Sequence, residues 1–233
     1  MNTVGDKIKD IQGESQLGWI RLRDLISGAW GLVITFPMDY HPVWATVCVS
    51  YESYMIKDFF LQELGALAKL KSEFDARNCR ILGLHVSTAE RQDTFIAHVN
   101  ETQEVEVNFP LIYDIDAKIS KRNGLVPQDF DSVTKPFKYS TILLYDLDLT
   151  LRFSMQYPTS VGRNIYEVIR ALDALQLSKF NQVVTPTNWK VNDDVFVEPD
   201  VTSEAAKLLF PQGFHEIKPY FRITPSPAVV ENS

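Results

Sequence analysis

A chain of 233 residues with 45% hydrophobic content is long enough for one sizeable domain with a smaller one appended, and it holds enough apolar side chains to bury a core. Its net charge of -7, with no cluster of Lys or Arg, argues against nucleic acid or an anionic membrane as the main partner. The opening M-N-T-V-G-D-K-I-K-D has no apolar leader stretch, and the longest apolar run, Ala29 to Phe36, is far too short to span a bilayer, so a cytoplasmic protein without integral membrane association is expected. Two cysteines, Cys48 and Cys79, are too few for a disulfide framework and have no metal-ligand spacing with His41, His85, His98 or His215, so reduced thiols and no metal or cofactor are expected.

In chain order, Trp30 to Phe36 reads as a first strand, closed by Pro37. Pro42 suits the first turn of a following helix, and such a strand-loop-helix junction directs helix N-terminal amides toward the loop. Leu64, Leu67, Ala68, Leu70 and Phe74 share one helical face. Further strands are expected at Ile81 to Val86, Thr141 to Tyr145 and Leu149 to Phe153, and a second amphipathic helix through Ile165, Val168, Ile169, Leu172 and Leu175. Strands alternating with helices imply an α/β sheet. After Leu177 the character changes. Pro186, Pro199, Pro211 and Pro219 punctuate short pieces, among them a β-like Val195 to Val197 and a helix from Ser203 to Leu209, so the expected division is 1–178 and 179–233.

Directly after the first strand the chain reads P-M-D-Y-H-P-V-W, Pro37 to Trp44. Other distinctive stretches are G-A-W-G (Gly28 to Gly31), E-L-G (Glu63 to Gly65), N-F-P-L-I (Asn108 to Ile112), Y-P-T-S-V-G-R-N (Tyr157 to Asn164), T-P-T-N-W-K (Thr185 to Lys190) and L-F-P-Q-G (Leu209 to Gly213). Together they resemble the one-cysteine peroxiredoxins of the peroxiredoxin 6 group over nearly the whole chain. The resemblance implies a thioredoxin-like fold, in which helices flank a central mixed β-sheet, with a small C-terminal peroxiredoxin domain, and a homodimer. It also implies an ancestral function: reduction of hydrogen peroxide or organic hydroperoxides by a reactive thiol, in the service of redox homeostasis.

At the site the resemblance fails. Pro37 to Trp44 follows the family signature Pro-x-x-x-Thr/Ser-x-x-Cys, but Trp44 stands at the peroxidatic cysteine and His41 at the hydroxyl residue. The family's late-strand arginine falls on Ser140 in P-F-K-Y-S-T, which leaves only Pro37 and the second arginine, Arg163. A peroxidatic thiol needs a helix N-terminus and a nearby cation to ionise near neutral pH, since a free cysteine has a pKa of about 8.5. An indole cannot form a thiolate. Pro37 is then read as a strand terminator, Arg163 as a residue that caps or pairs near a helix start, and Trp44 as filler of a vacated pocket.

Some members of the group also carry a phospholipase A2 activity. Here Ala29 stands at its serine position and Arg23 and Phe36 at its histidine positions, while Asp148 matches its aspartate; one acid makes no triad.

Val47 to Gln62 has no counterpart in the family, and deleting it joins P-V-W-A-T directly to E-L-G. Two readings stand: a translated intron, since Val-Cys and Phe-Phe-Leu-Gln can be encoded by splice-site sequences, or a genuine insertion that extends the first helix or forms a lid. Two functional readings follow. One is a pseudoenzyme that retains the family fold. The other is a thiol peroxidase using Cys48, which on a helix from Pro42 to Ser50 would lie one turn beyond Trp44, roughly 6 Å further along the axis and away from the helix dipole's positive end. Cys79, in D-A-R-N-C-R-I-L-G-L, reads as a buried small hydrophobe whose neighbours Arg77 and Arg80 face solvent.

Overall fold

In the computed structural model, residues 2–36, 63–130, 139–158 and 160–227 are described. The N-terminal unit opens with a hairpin of β1 (Gln12–Ser15) and β2 (Gly18–Arg21), followed by the short helix α1 (Leu22–Leu25) and strand β3 (Trp30–Phe36). Then come α2 (Glu63–Lys69), α3 (Lys71–Ala76), β4 (Cys79–His85), α4 (Ala89–Gln103), β5 (Leu111–Tyr113), α5 (Lys118–Arg122), β6 (Tyr139–Tyr145) and β7 (Leu151–Pro158). The strands form a seven-stranded sheet in the order β2-β1-β5-β4-β3-β6-β7.

Strand β3 is apolar but for Gly31 and Thr35, and every one of its residues is buried, as a strand covered on both faces must be. It runs parallel to β4, with Trp30 opposite Cys79 and Phe36 opposite His85, and antiparallel to β6, with Ile34 opposite Ile142. The core packs Val33, Leu82, Leu84, Ile112 and Leu143 against Ile8, Ile11, Leu22 and Ile26.

The strand expected at Leu149 to Phe153 begins later, at Leu151. The Asp146 carboxylate accepts from the backbone N–H groups of Asp148 and Thr150, a turn in which Leu149 takes a left-handed φ of 58°. The strand then continues through polar Ser154 and Gln156, because among the described residues β7 is an edge strand paired with β6 and its more buried positions alternate with exposed ones. The helical face from Leu64 to Phe74 is divided between α2 and α3 at Leu70.

The chain divides into two compact units, Met1–Ile165 and Tyr166–Ser233, so the expected boundary near 178 falls within α6 (Ile165–Asn181). The second unit adds β8 (Val183–Val184), β9 (Val195–Val197), α7 (Ser203–Leu209), β10 (His215–Lys218) and β11 (Phe221–Thr224). Its strands form an antiparallel sheet ordered β10-β11-β9-β8. Its core gathers Leu177, Trp189, Val195, Val197, Ala206 and Phe210. Arg222 is buried there, its guanidinium donating to the carbonyls of Glu198 and Val201. Among the described residues no helix is long and apolar enough to cross a membrane.

Candidate active site at the carboxyl end of the central strands

The segment that carries the sequence signature follows Phe36, the last residue of β3. Around that point the backbone is tightly fixed. Val86 N–H donates to the Phe36 carbonyl at 3.0 Å, and Thr35 Oγ1 accepts from Thr141 N–H at 2.9 Å, so β4 and β6 clamp the strand end from both sides. The side chain of Phe36 is buried and meets the ring of His85 edge-on, with centroids 6.2 Å apart.

Pro37, His41, Trp44 and Cys48, with the whole of 47–62, lie outside the described residues. Ser140 and Arg163 lie within them. Ser140 is the second residue of β6, next to the Thr141 that binds Thr35, and it faces Tyr157 across the β6–β7 pair. It is buried, and among the described residues its hydroxyl has no hydrogen-bond partner. A neutral side chain therefore occupies the strand position at which the resemblance expects a cation.

Arg163 does carry a charge, but that charge is committed. Its backbone N–H and Nε donate to Glu63 Oε1 at 2.8 and 2.9 Å, and its Nη2 donates to Glu63 Oε2, with both side chains buried. Glu63 opens α2, so a carboxylate and a guanidinium separated by 100 residues in sequence close on each other beside the helix start. Neither charge could stand there alone, since an isolated buried charge is far too costly.

Cys79 stands at the opposite end of the sheet. It begins β4 opposite Trp30, six residues before the Phe36–His85 pair, which places it roughly 20 Å along the strand from the site edge. It is fully buried, and burial, reinforced by the Asp75 carboxylate, pushes its thiol well above the ordinary cysteine range against the weaker pull of Arg80. Arg77 and Arg80 turn to Glu73 and Asp75 at 2.8 and 3.6 Å.

The positions compared with a phospholipase site are spread over the sheet. Ala29 precedes β3 and Phe36 ends it, again roughly 20 Å apart. Asp148 lies in the turn before β7, its carbonyl accepting from Lys7 Nζ at 2.7 Å.

Two polar pairs escaped the sequence reading. Glu63 was visible only as part of E-L-G, and nothing local announces a partner 100 residues away. The other pair joins His85, at the end of β4, to Gln92 on α4, their Nδ1 and Oε1 atoms 3.1 Å apart and both side chains fully buried. A glutamine at a core-facing helix position is the one signal that could have marked it, because a buried amide must find partners.

The comparisons with known proteins agree with this geometry. The AhpC/TSA family matches residues 4–154, and the C-terminal domain of 1-Cys peroxiredoxin matches residues 174–212. The 1-Cys peroxiredoxin of Dictyostelium discoideum is 37% identical over 224 residues, covering 96% of this chain and 85% of that protein. The structure of the yeast mitochondrial 1-Cys peroxiredoxin superposes with a TM-score of 0.81 at 32% identity, covering 97% of this chain and 100% of the other. That of the peroxiredoxin 6 of Arenicola marina gives a TM-score of 0.83 at 27% identity, covering 97% and 99%. The chain therefore belongs to the AhpC/TSA family, as a one-cysteine peroxiredoxin type with the family's thioredoxin-like fold and C-terminal domain.

Proposed function

We propose that this chain is a catalytically silent descendant of a one-cysteine thiol peroxidase, a pseudoenzyme that keeps the family fold and acts as a binding or structural partner. The observation that carries this reading is Trp44 at the position of the peroxidatic cysteine. Peroxide reduction requires a thiolate sulfur to attack one peroxide oxygen, forming a sulfenic acid while the other oxygen leaves as water or alcohol; an indole has no such electron pair to give. One further observation supports it: the strand position expected to hold the activating arginine is the buried, uncharged Ser140. Residues that act as a unit lose most of their effect when one is removed.

A relocated thiol peroxidase acting on hydrogen peroxide or an organic hydroperoxide is the second reading. The chain has two cysteines and Cys79 is sealed inside β4, so any thiol chemistry falls to Cys48. The family also suggests a homodimer, and the sequence a cytoplasmic location with a domain boundary near 178, although one 34% identical relative is a mitochondrial peroxiredoxin of Saccharomyces cerevisiae.

Repair tests the site assignment. With residues 47–62 deleted, Trp44→Cys alone gives weak peroxide reactivity, and adding Ser140→Arg and His41→Thr raises it. A triple variant no faster than the single one refutes the assignment of those positions. We further propose that 47–62 is a translated intron. A transcript joining the codons of Thr46 and Glu63 is expected, whereas peptides spanning Val47 to Gln62 in protein isolated from its native source would overturn the proposal.

A further inference from the structure

We infer that His85, at the carboxyl end of the central strands, is held by Gln92 as the Nδ1–H tautomer, so that in its neutral form the lone pair stands on Nε2. The backbone carbonyl of Leu111 can only accept, so the Gln92 amide atom 2.8 Å from it is the nitrogen, Nε2. That leaves Gln92 Oε1 facing His85 Nδ1 at 3.1 Å. An amide oxygen cannot donate, hence Nδ1 carries the proton. A neutral imidazole holds one proton, and Nε2 keeps its lone pair.

The frame that imposes this is rigid. Leu111 is set in β5 beside Gly83 of β4, and its own N–H donates to Gln16 Oε1 at 2.9 Å. His85, Gln92 and Leu111 are all fully buried, and the imidazole lies between Phe36 and Phe95, with centroids at 6.2 and 5.2 Å. His85 is also the register partner of Phe36, the residue from which the signature segment departs. While the ring is neutral, a group that meets Nε2 must therefore bring a proton, as a hydroxyl, an amide N–H or a thiol does. The inference is independent of whether residue 44 or residue 48 has any reactivity.

Long-range proton–nitrogen correlation spectra of the full-length, nitrogen-15-labelled protein test it. At pH 8.5, where an ordinary imidazole is neutral, His85, assigned by its loss in His85→Asn, is expected as a single Nδ1–H tautomer, while Gln92→Leu is expected to lose that tautomer in favour of a mixture. An Nε2–H tautomer or a mixture in the unmodified protein would overturn the inference, as would an unchanged tautomer in Gln92→Leu. If the leucine variant does not fold, the unmodified protein's spectrum alone decides.

Discussion

Glu63 and Arg163 present the sharpest energetic question at the scale of single residues. A buried ion pair contributes little net stability against an apolar replacement, because desolvation consumes most of the Coulomb gain, yet removing one partner strands the other charge. Glu63→Gln should therefore lower the unfolding free energy by about 3–5 kcal/mol in a urea titration, with Glu63→Leu combined with Arg163→Met costing clearly less than Glu63→Gln alone. A loss under about 1 kcal/mol for the single change, the usual worth of a surface pair, would mean that the pair is solvated. Both residues were legible as parts of family motifs, E-L-G and V-G-R-N, but their pairing was not. It depends on the fold bringing the start of α2 to the segment after β7, which no local pattern encodes.

Among the elements, legibility followed burial. Strand β3 was plain because both its faces are covered and it reads as an unbroken apolar run. Helix α4 was not, since its buried stripe is Gln92, Phe95, Ile96 and Val99, with a polar residue where periodicity expects an apolar one. Strand β10 was missed for the opposite reason: all four of its residues are exposed and show no alternation. Gly83 gives a test of how closely the central strands pack. A Cβ built there would lie 2.8 Å from Leu111 Cγ, a branch atom of a fully buried side chain on the neighbouring strand. Gly83→Ala should destabilise the protein by about 1–3 kcal/mol through overpacking, read as a lower denaturation midpoint. An unchanged midpoint would mean that β5 can shift at little cost.

For the whole molecule, fold and chemistry separate. The thioredoxin-like core, the family's C-terminal domain and the match along 96% of the chain to a one-cysteine peroxiredoxin establish ancestry. Activity must be argued from the site, because a fold hosts functions without implying them. The family motifs, and the proposed replacements at 44, 41 and 140, were read from the sequence, whereas the Ser140 environment and the pairing of Arg163 with Glu63 required coordinates. The direct test is rapid mixing of the purified full-length chain with stoichiometric hydrogen peroxide, followed by intact-mass analysis, beside a Cys48→Ser control. The silent-peroxidase account predicts no added oxygen within minutes at micromolar peroxide in either protein. Rapid gain of one oxygen that disappears in the Cys48→Ser control would contradict it and assign the chemistry to a relocated thiol.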